Sequence, residues 1–221
     1  MGYFHNVIGL KDEFLQSTIE TVYMVSITAV IAGIFGIIIG VLLVITGRGG
    51  ILENKKIYSI LDKLVNLGRS IPFVIIIALL SSVTRFIVGT TIGSSAAIVP
   101  LVFGTVPFYS RQIETVLVDV DKGVIEAARS MGDSIIEIIF RVYLREGLAG
   151  IIRVSQLTLI SLIGLTAMAG AIGGGGLGNL AISQGFNRFQ NDVTVVSTLI
   201  ILALVFIIQW FGNILIRKIE K

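Results

Sequence analysis

At residues 126–132 the sequence reads Glu126-Ala127-Ala128-Arg129-Ser130-Met131-Gly132, and this stretch lies in the largest block of charged residues in the chain. Long apolar segments flank that block on both sides. A chain that keeps its charge in one short, structured loop between apolar segments can offer that loop to a soluble partner. The sequence therefore indicates a docking surface on an otherwise lipid-embedded protein.

Composition favours a membrane protein. Of the 221 residues, 54% are hydrophobic and 14% are charged, whereas soluble domains carry roughly 25% charged residues. The 25 glycines suit close packing of helices in lipid. The absence of cysteine excludes a disulfide framework and a thiol nucleophile. The basic residues are spread over loops and form no cluster that would bind nucleic acid, so we expect no nucleic-acid partner.

The apolar segments predict an all-α integral membrane protein with five transmembrane helices. A spanning helix needs about 20 apolar residues. The first segment is too long for a signal peptide and no basic stretch precedes it, so it is predicted to stay as an uncleaved span. The five predicted spans are residues 22–46, 70–84 with residues 64–67 added, 86–110, 154–172 and 193–216.

The basic residues predict the orientation of these spans. Most of the 17 Lys and Arg residues lie between predicted spans one and two, between spans three and four, or after the last span. Lys11, Arg85 and Arg188 lie on the opposite side. Because loops rich in Lys and Arg stay in the cytoplasm, we expect the N-terminus outside and the C-terminus in the cytoplasm, which agrees with an odd number of spans.

The predicted spans lack the groups that drive transport from within a chain. They contain no Asp, Glu or Lys at membrane depth, which argues against proton coupling. Sodium coupling stays open, because hydroxyl and carbonyl oxygens can bind Na⁺. No Gly-x-x-x-x-Gly-Lys-Ser/Thr motif occurs to hold ATP phosphates. Active transport by this chain would therefore draw its energy from a partner, and the chain itself is not expected to be an enzyme.

The loop at about residues 119–146 has the features of two short helices joined by a glycine. Residues 118–131 can form the first helix, which Gly132 can end with a left-handed backbone. Asp133 or Ser134 can then cap a second helix that is densely apolar from residue 135 to 144. That helix is too short to span a membrane, so it rests on the membrane surface or seats in a groove of a cytoplasmic protein.

The stretch Glu126-Ala127-Ala128 followed by Gly132 resembles the "EAA" loop of ABC importer membrane subunits. In that family the loop forms the coupling helix that docks on the ATPase subunit. The resemblance implies that a partner ATPase docks on Glu126, Ala127, Ala128, Arg129, Met131, Gly132, Ile136 and Phe140.

The resemblance extends over nearly the whole chain, from about residue 15 to the end, and is to the methionine importer permeases. It implies a single transmembrane permease domain over residues 1–221 with the ABC type I importer-like fold, multi-pass in the bacterial cytoplasmic (inner) membrane. Implied partners are a second copy of the chain, two cytoplasmic ATPase subunits that bind the ATP and Mg²⁺, an extracytoplasmic substrate-binding protein and the lipid bilayer. The implied substrate is methionine, the L enantiomer and also the D enantiomer, moved by alternating access. The motifs that carry it are Arg69-Ser70-Ile71-Pro72-Phe73, Ala97-Ile98-Val99-Pro100-Leu101, Val106-Pro107-Phe108 and the run from Ala167 to Gly178.

One departure from the family concerns the end of the coupling loop. The family continues with Leu-Pro and often a second proline, whereas this chain has Leu144-Arg145 and Ala149. Because proline stops a helix, its absence predicts a more continuous helix at the junction with the fourth span.

Five residues are candidates for the translocation pathway: Ser161, Thr166, Met168, Gly173 and Gly175. Ser161 and Met168 are seven positions apart and share a helix face, which lines the pathway or serves ordinary helix packing. The glycine run forms a flexible outer loop or a close-packed re-entrant turn near the external mouth. It also matches Gly-x-Gly-x-x-Gly, but the strand that a dinucleotide site requires does not precede it.

Two other functions stay open on sequence grounds. An ion-gradient-driven secondary amino-acid carrier would need no ATPase; internal inverted repeats would support it, and none is evident in the sequence. A non-transporting scaffold that anchors cytoplasmic enzymes is the other alternative, although the glycine-rich segment is unexpected in an anchor.

Overall fold

The computed structural model describes residues 5–219, and every regular element within that range is helical. Three segments are π-helical: Ile138–Tyr143, Gly170–Gly174 and Leu180–Phe186. The α-helices are α1 His5–Gly9, α2 Lys11–Thr46, α3 Lys55–Ser70, α4 Phe73–Leu79, α5 Ser81–Val88, α6 Ser94–Val118, α7 Lys122–Ser130, α8 Ile135–Glu137, α9 Leu144–Glu146, α10 Leu148–Ala169, α11 Gly176–Asn179 and α12 Asn191–Ile219.

Three helical segments of residues 5–219 are long and apolar enough to cross a membrane: Lys11–Thr46, Leu148–Gly174 and Asn191–Ile219. They contain the first, fourth and fifth predicted spans. At 1.5 Å per residue each is longer than the roughly 30 Å of bilayer hydrocarbon. The long apolar runs of the sequence therefore form continuous helices, as predicted.

The second and third predicted spans have different boundaries in the structure. The second is broken at Pro72, which precedes α4, and at Leu80, which separates α4 from α5. No helix starts at residue 86, which lies inside α5. Helix α5 ends at Val88, the following Gly89 has a left-handed φ of +83°, and regular helix resumes at Ser94. Glycine adopts this conformation at helix ends without steric cost. The helix is therefore interrupted inside the third predicted span.

Helix α6 also continues well past residue 110, where the prediction ended the span. Arg111 follows that position, and its guanidinium donates to Asp62 of α3 and to Glu114 one turn further along α6. The Tyr58 hydroxyl donates to the other Glu114 oxygen at 3.2 Å. Arginine is a good helix former, so α6 runs through Arg111, and its charge is paired with these carboxylates.

The described residues form two compact units. The first unit contains the residues up to Ile31, then Ile71–Thr105 and Leu159–Trp210. Its cores gather around Met24 and Leu101, and around Leu177 and Val193. The second unit contains Ala32–Ser70, Val106–Thr158 and the residues from Phe211 on. Its core comprises Val41, Val44, Ile45, Tyr109, Ile113, Leu117, Val120, Ile125, Ala128, Ile138, Val142, Tyr143 and Ile151.

Small residues bring α2 and α6 together within the second unit. A Cβ atom on Gly36 would lie 2.5 Å from Cδ1 of Tyr109, and one on Gly40 would lie 2.6 Å from Cβ of Ile113. Contacts this short leave no room for a side chain, so the backbone of α2 lies directly against α6. Since the loop after α6 shares the same core, its position is fixed by this packing.

Candidate docking surface and glycine turn

The first helix of the 119–146 loop begins at an aspartate cap. The Asp121 side chain accepts the Gly123 N–H at 2.7 Å, and α7 starts at Lys122. This start is later than the predicted one at 118, because a cap that accepts a free N–H defines the first turn. Helix α7 ends at Ser130, and Gly132, just after its cap, has the predicted left-handed backbone with a φ of +90°.

Ser134, one of the two predicted caps, begins the second helix. Its hydroxyl oxygen accepts the Glu137 N–H at 3.3 Å, and the Glu137 carboxylate accepts the Ser134 N–H at 2.9 Å. This is a capping box, which satisfies two helix N–H groups at once. Hydrogen bonds from the Ser134 N–H and hydroxyl hold the pKa of Glu137 below its usual range. The contribution of this carboxylate is therefore present at neutral pH and is lost as the pH falls through its lowered pKa.

The Ser134→Ala variant is expected to exchange the amide hydrogens of residues 135–138 about fivefold faster, because losing an N-cap costs about 1 kcal/mol. Hydrogen–deuterium exchange read by mass spectrometry measures this. The matched control is Ser130→Ala, since the Ser130 hydroxyl donates only to the Glu126 carbonyl within α7. Equal exchange of residues 135–138 in the two variants would contradict the capping role.

The helical run continues to the start of α10, as expected from the missing prolines. Helix α8, the π-helical segment and α9 follow one another without a break, and Gly147 alone separates α9 from α10. The Gly147 N–H donates to the Tyr143 carbonyl at 3.0 Å, and the Ile151 N–H donates to the Gly147 carbonyl at 2.8 Å. Backbone hydrogen bonds therefore connect the end of the loop to α10 across Gly147.

The loop has a buried side and an exposed apolar side. Ile125, Ile138 and Tyr143 are buried in the core of the second unit. The exposed side, called the docking face below, consists of Met131, Ile135, Ile136 and Phe140, of which Met131, Ile136 and Phe140 are each at least 65% exposed. A folded, capped surface of this kind is suited to a protein groove.

The predicted docking residues differ in their exposure to solvent. Glu126, Ala127, Arg129 and Gly132 are exposed beside the docking face. Ala128, however, is only 3% exposed and packs in the core. Its methyl group therefore supports the surface from beneath and does not form part of it.

The glycine run forms a close-packed turn, called the glycine turn below and comprising residues 170–179. A Cβ on Gly178 would overlap the backbone of Ala167 in α10, and a Cβ on Gly170 would lie 2.5 Å from the Asn179 nitrogen. The segment thus doubles back against the end of the helix that precedes it. The sequence allowed either a flexible loop or a close-packed turn for this run, and the structure shows a close-packed turn.

The glycine turn is held by side chains far away in sequence. The Glu20 carboxylate accepts the Gly176 N–H at 2.7 Å, and the Thr21 hydroxyl oxygen accepts the Leu177 N–H at 2.9 Å. The Gly93 N–H also donates to the Gly173 carbonyl at 2.9 Å. Sequence reasoning missed Glu20, and no local signal could have found it, because its partner lies 156 positions away.

The candidate pathway residues do not share one surface. Ser161 and Met168 are exposed on α10, but Thr166 is 2% exposed and its hydroxyl donates to the Ile163 carbonyl at 2.7 Å. Gly173 and Gly175 lie in the glycine turn with φ of +96° and +74°. Thr166 therefore belongs to the packing of the first unit, and its hydroxyl is already satisfied within its helix.

A small cavity of about 50 Å³ lies beside the glycine turn within the first unit. Thr84, Ala169, Ile172 and Gly174 are among the residues that line it. This volume holds about one or two water molecules, so the cavity is too small for an amino acid. No group of three His, Asp or Glu side chains that could hold a metal occurs within residues 5–219.

The long apolar helices define an integral membrane protein, and its folded loop carries an exposed apolar surface. The family model of the binding-protein-dependent transport system inner membrane component matches residues 32–221. The chain is 47% identical over 219 residues to the methionine import system permease protein MetP of Bacillus subtilis, covering 99% of this chain and 98% of that protein. It is 43% identical over 210 residues to the probable D-methionine transport system permease protein MetI of Vibrio cholerae, covering 95% and 93%.

A solved structure has the same fold. A chain of the inward-facing MetNI methionine ABC transporter superposes with a TM-score of 0.94 at 36% identity, covering 96% of this chain and 99% of that one. The chain therefore belongs to the family of binding-protein-dependent transport system inner membrane components.

Proposed function

We propose that the chain is the membrane-spanning permease subunit of an ATP-driven importer that carries methionine, as the L enantiomer and also as the D enantiomer. Two copies of the chain form the conduit, with five spans in each copy, the N-terminus outside and the C-terminus in the cytoplasm. Two ATPase subunits bind the cytoplasmic loops and hold the ATP and Mg²⁺. A substrate-binding protein delivers the solute from outside. The names of the relatives support the substrate.

The observation that carries this proposal is the docking face, because it couples an exposed surface to a buried core. Ile136 and Phe140 are exposed, while Ile138 on the same helical run is 1% exposed in the core of the second unit. A displacement applied at the face is therefore passed to α2 and α6, which share that core. ATP binding draws the two ATPases together, and the helices rock as rigid groups between inward- and outward-facing states.

The pathway residues are part of the proposal. Ser161 and Met168 present a hydroxyl and a thioether on one face of α10, and the glycine turn lies near the external mouth. Its close-packed backbone and the anchors from Glu20 and Thr21 support a rigid boundary at that end. A zwitterion that passes without stopping needs dipoles rather than fixed ions, so tight binding is left to the substrate-binding protein.

The test is uptake of labelled methionine into vesicles that contain the chain, its ATPase and the substrate-binding protein. Uptake is expected to require ATP and to be lost in the Glu126→Arg variant, in which the charge beside the docking face is reversed. An ionophore that dissipates ion gradients should leave uptake unchanged. Uptake that continues without nucleotide and stops with the ionophore would establish the secondary carrier in its place.

A further inference from the structure

A cavity of about 220 Å³ lies within the second unit at the point where α2 ends. Its apolar lining residues are Leu43 and Val44, which are 0% and 7% exposed, and Val118, which is 58% exposed. Arg48, Lys55 and Tyr58 also line it. The cavity thus combines a hydrocarbon surface with two cations and a phenol.

The position of the cavity matches the boundary between hydrocarbon and headgroups. The apolar run of α2 ends at Thr46, and Arg48 follows in the turn after the helix. A helix that fills the hydrocarbon core leaves its last turn at the headgroup level. Arg48 and Lys55 are therefore at the depth of the lipid phosphates.

Arg48 and Lys55 are exposed, and within residues 5–219 neither forms a salt bridge. A carboxylate also lines the cavity, that of Glu114, but it is occupied by the Tyr58 hydroxyl and by Arg111. The nearby carboxylate of Glu53 accepts the Gly49 N–H at 2.9 Å.

A third cation lies close to the same turn. The ammonium nitrogen of Lys122 is 3.6 Å from the point where a Cβ on Gly49 would lie. Lys122 forms no salt bridge with any residue of 5–219 either. Three cations that form no salt bridge within residues 5–219, Arg48, Lys55 and Lys122, thus lie around the turn after α2.

We propose that this cavity binds an anionic phospholipid, with its phosphate between Arg48 and Lys55 and an acyl chain against the exposed side chain of Val118. Basic pockets beside membrane helices bind anionic headgroups through this combination of charge and depth. An acidic side chain of a protein partner would use the cations but would leave Val118 uncovered. The inference depends on the chain lying in a membrane and is independent of the solute that it carries.

The test is native mass spectrometry of the purified full-length chain, delipidated and then titrated with phosphatidylglycerol or with phosphatidylethanolamine. We expect tighter binding of phosphatidylglycerol. The double variant Arg48→Gln, Lys55→Gln should weaken that binding about twenty-five-fold, since each of the two cations near a membrane surface contributes roughly a factor of five. Both side chains are exposed, so the variant should keep the melting temperature of the parent chain.

The matched control is Lys56→Gln with Lys63→Gln, which removes two exposed cations from the same helix, neither of which lines the cavity. It should bind phosphatidylglycerol like the parent chain, and a large excess of inorganic phosphate should not displace the lipid. Equal loss in the two double variants, or displacement by phosphate, would overturn the proposal. Co-purification of the Arg48→Gln, Lys55→Gln variant with the ATPase is the second measurement: release of the ATPase with unchanged lipid binding would assign the cations to a protein partner and would overturn the proposal as well.

Discussion

The Ile136→Asp variant is expected to lose its ATPase on purification and to lose nucleotide-dependent uptake. Ile136 is 68% exposed at the centre of the docking face, so its burial in a partner groove would make it an interface hot spot. Placing a carboxylate there would cost about 3 kcal/mol or more, which corresponds to roughly a hundredfold or greater loss of affinity. Co-purification of the ATPase and ATP-driven uptake into vesicles measure the two effects.

Two controls separate docking from folding in this experiment. Ile136→Leu keeps an apolar side chain of similar volume and should retain the ATPase. Because Ile136 is not part of the chain's own core, the melting temperature of Ile136→Asp should match that of the parent chain. A variant that keeps both its ATPase and its uptake would show that the partner docks elsewhere, and the proposed role of the loop would be abandoned.

Gly178→Ala should destabilise the chain by about 3 kcal/mol and abolish uptake. The added Cβ would overlap the α carbon and the carbonyl of Ala167, both of which are backbone atoms. Overpacking a close-packed site costs about 1–3 kcal/mol, and backbone atoms give way less readily than side chains. Thermal unfolding in detergent and methionine uptake are the measurements.

The control is the same substitution at a glycine of α10, Gly164→Ala. No atom lies within 4 Å of a Cβ at Gly164, and alanine favours the helix over glycine by about 1 kcal/mol. This variant should be as stable as the parent chain or more stable. If Gly178→Ala and Gly164→Ala unfold at the same temperature, the turn is not close-packed in solution.

Local sequence signals predicted how the loop at about residues 119–146 folds, while the docking role of its residues stays a prediction. The capping box at Ser134 and the left-handed Gly132 depend on groups within a few positions of each other, so residue type and spacing are enough to predict them. The exposed positions Met131, Ile136 and Phe140 were all expected. The motif predicts Ala128 as a docking residue together with its neighbours, and only the tertiary structure shows that it is buried in the core of the second unit.

The pathway candidates show the limit of periodicity. Spacing correctly placed Ser161 and Met168 on one exposed face of α10, because positions seven apart repeat in a helix. It gave no reason to exclude Thr166, whose burial depends on which neighbours cover the other side of the helix. The anchoring of the glycine turn by Glu20 was equally invisible, since that contact joins opposite ends of the chain.

The sequence by itself determined that the chain lies in lipid, which runs form its long helices, and where the loop between them is capped. Those properties follow from the length of apolar runs and from contacts between near neighbours. The tertiary structure alone decided that Arg111 of α6 pairs with Asp62 of α3, because the two residues lie 49 positions apart and only folding brings them together. It also decided that the glycine run is a close-packed turn, because the acceptors that hold it are brought there by folding.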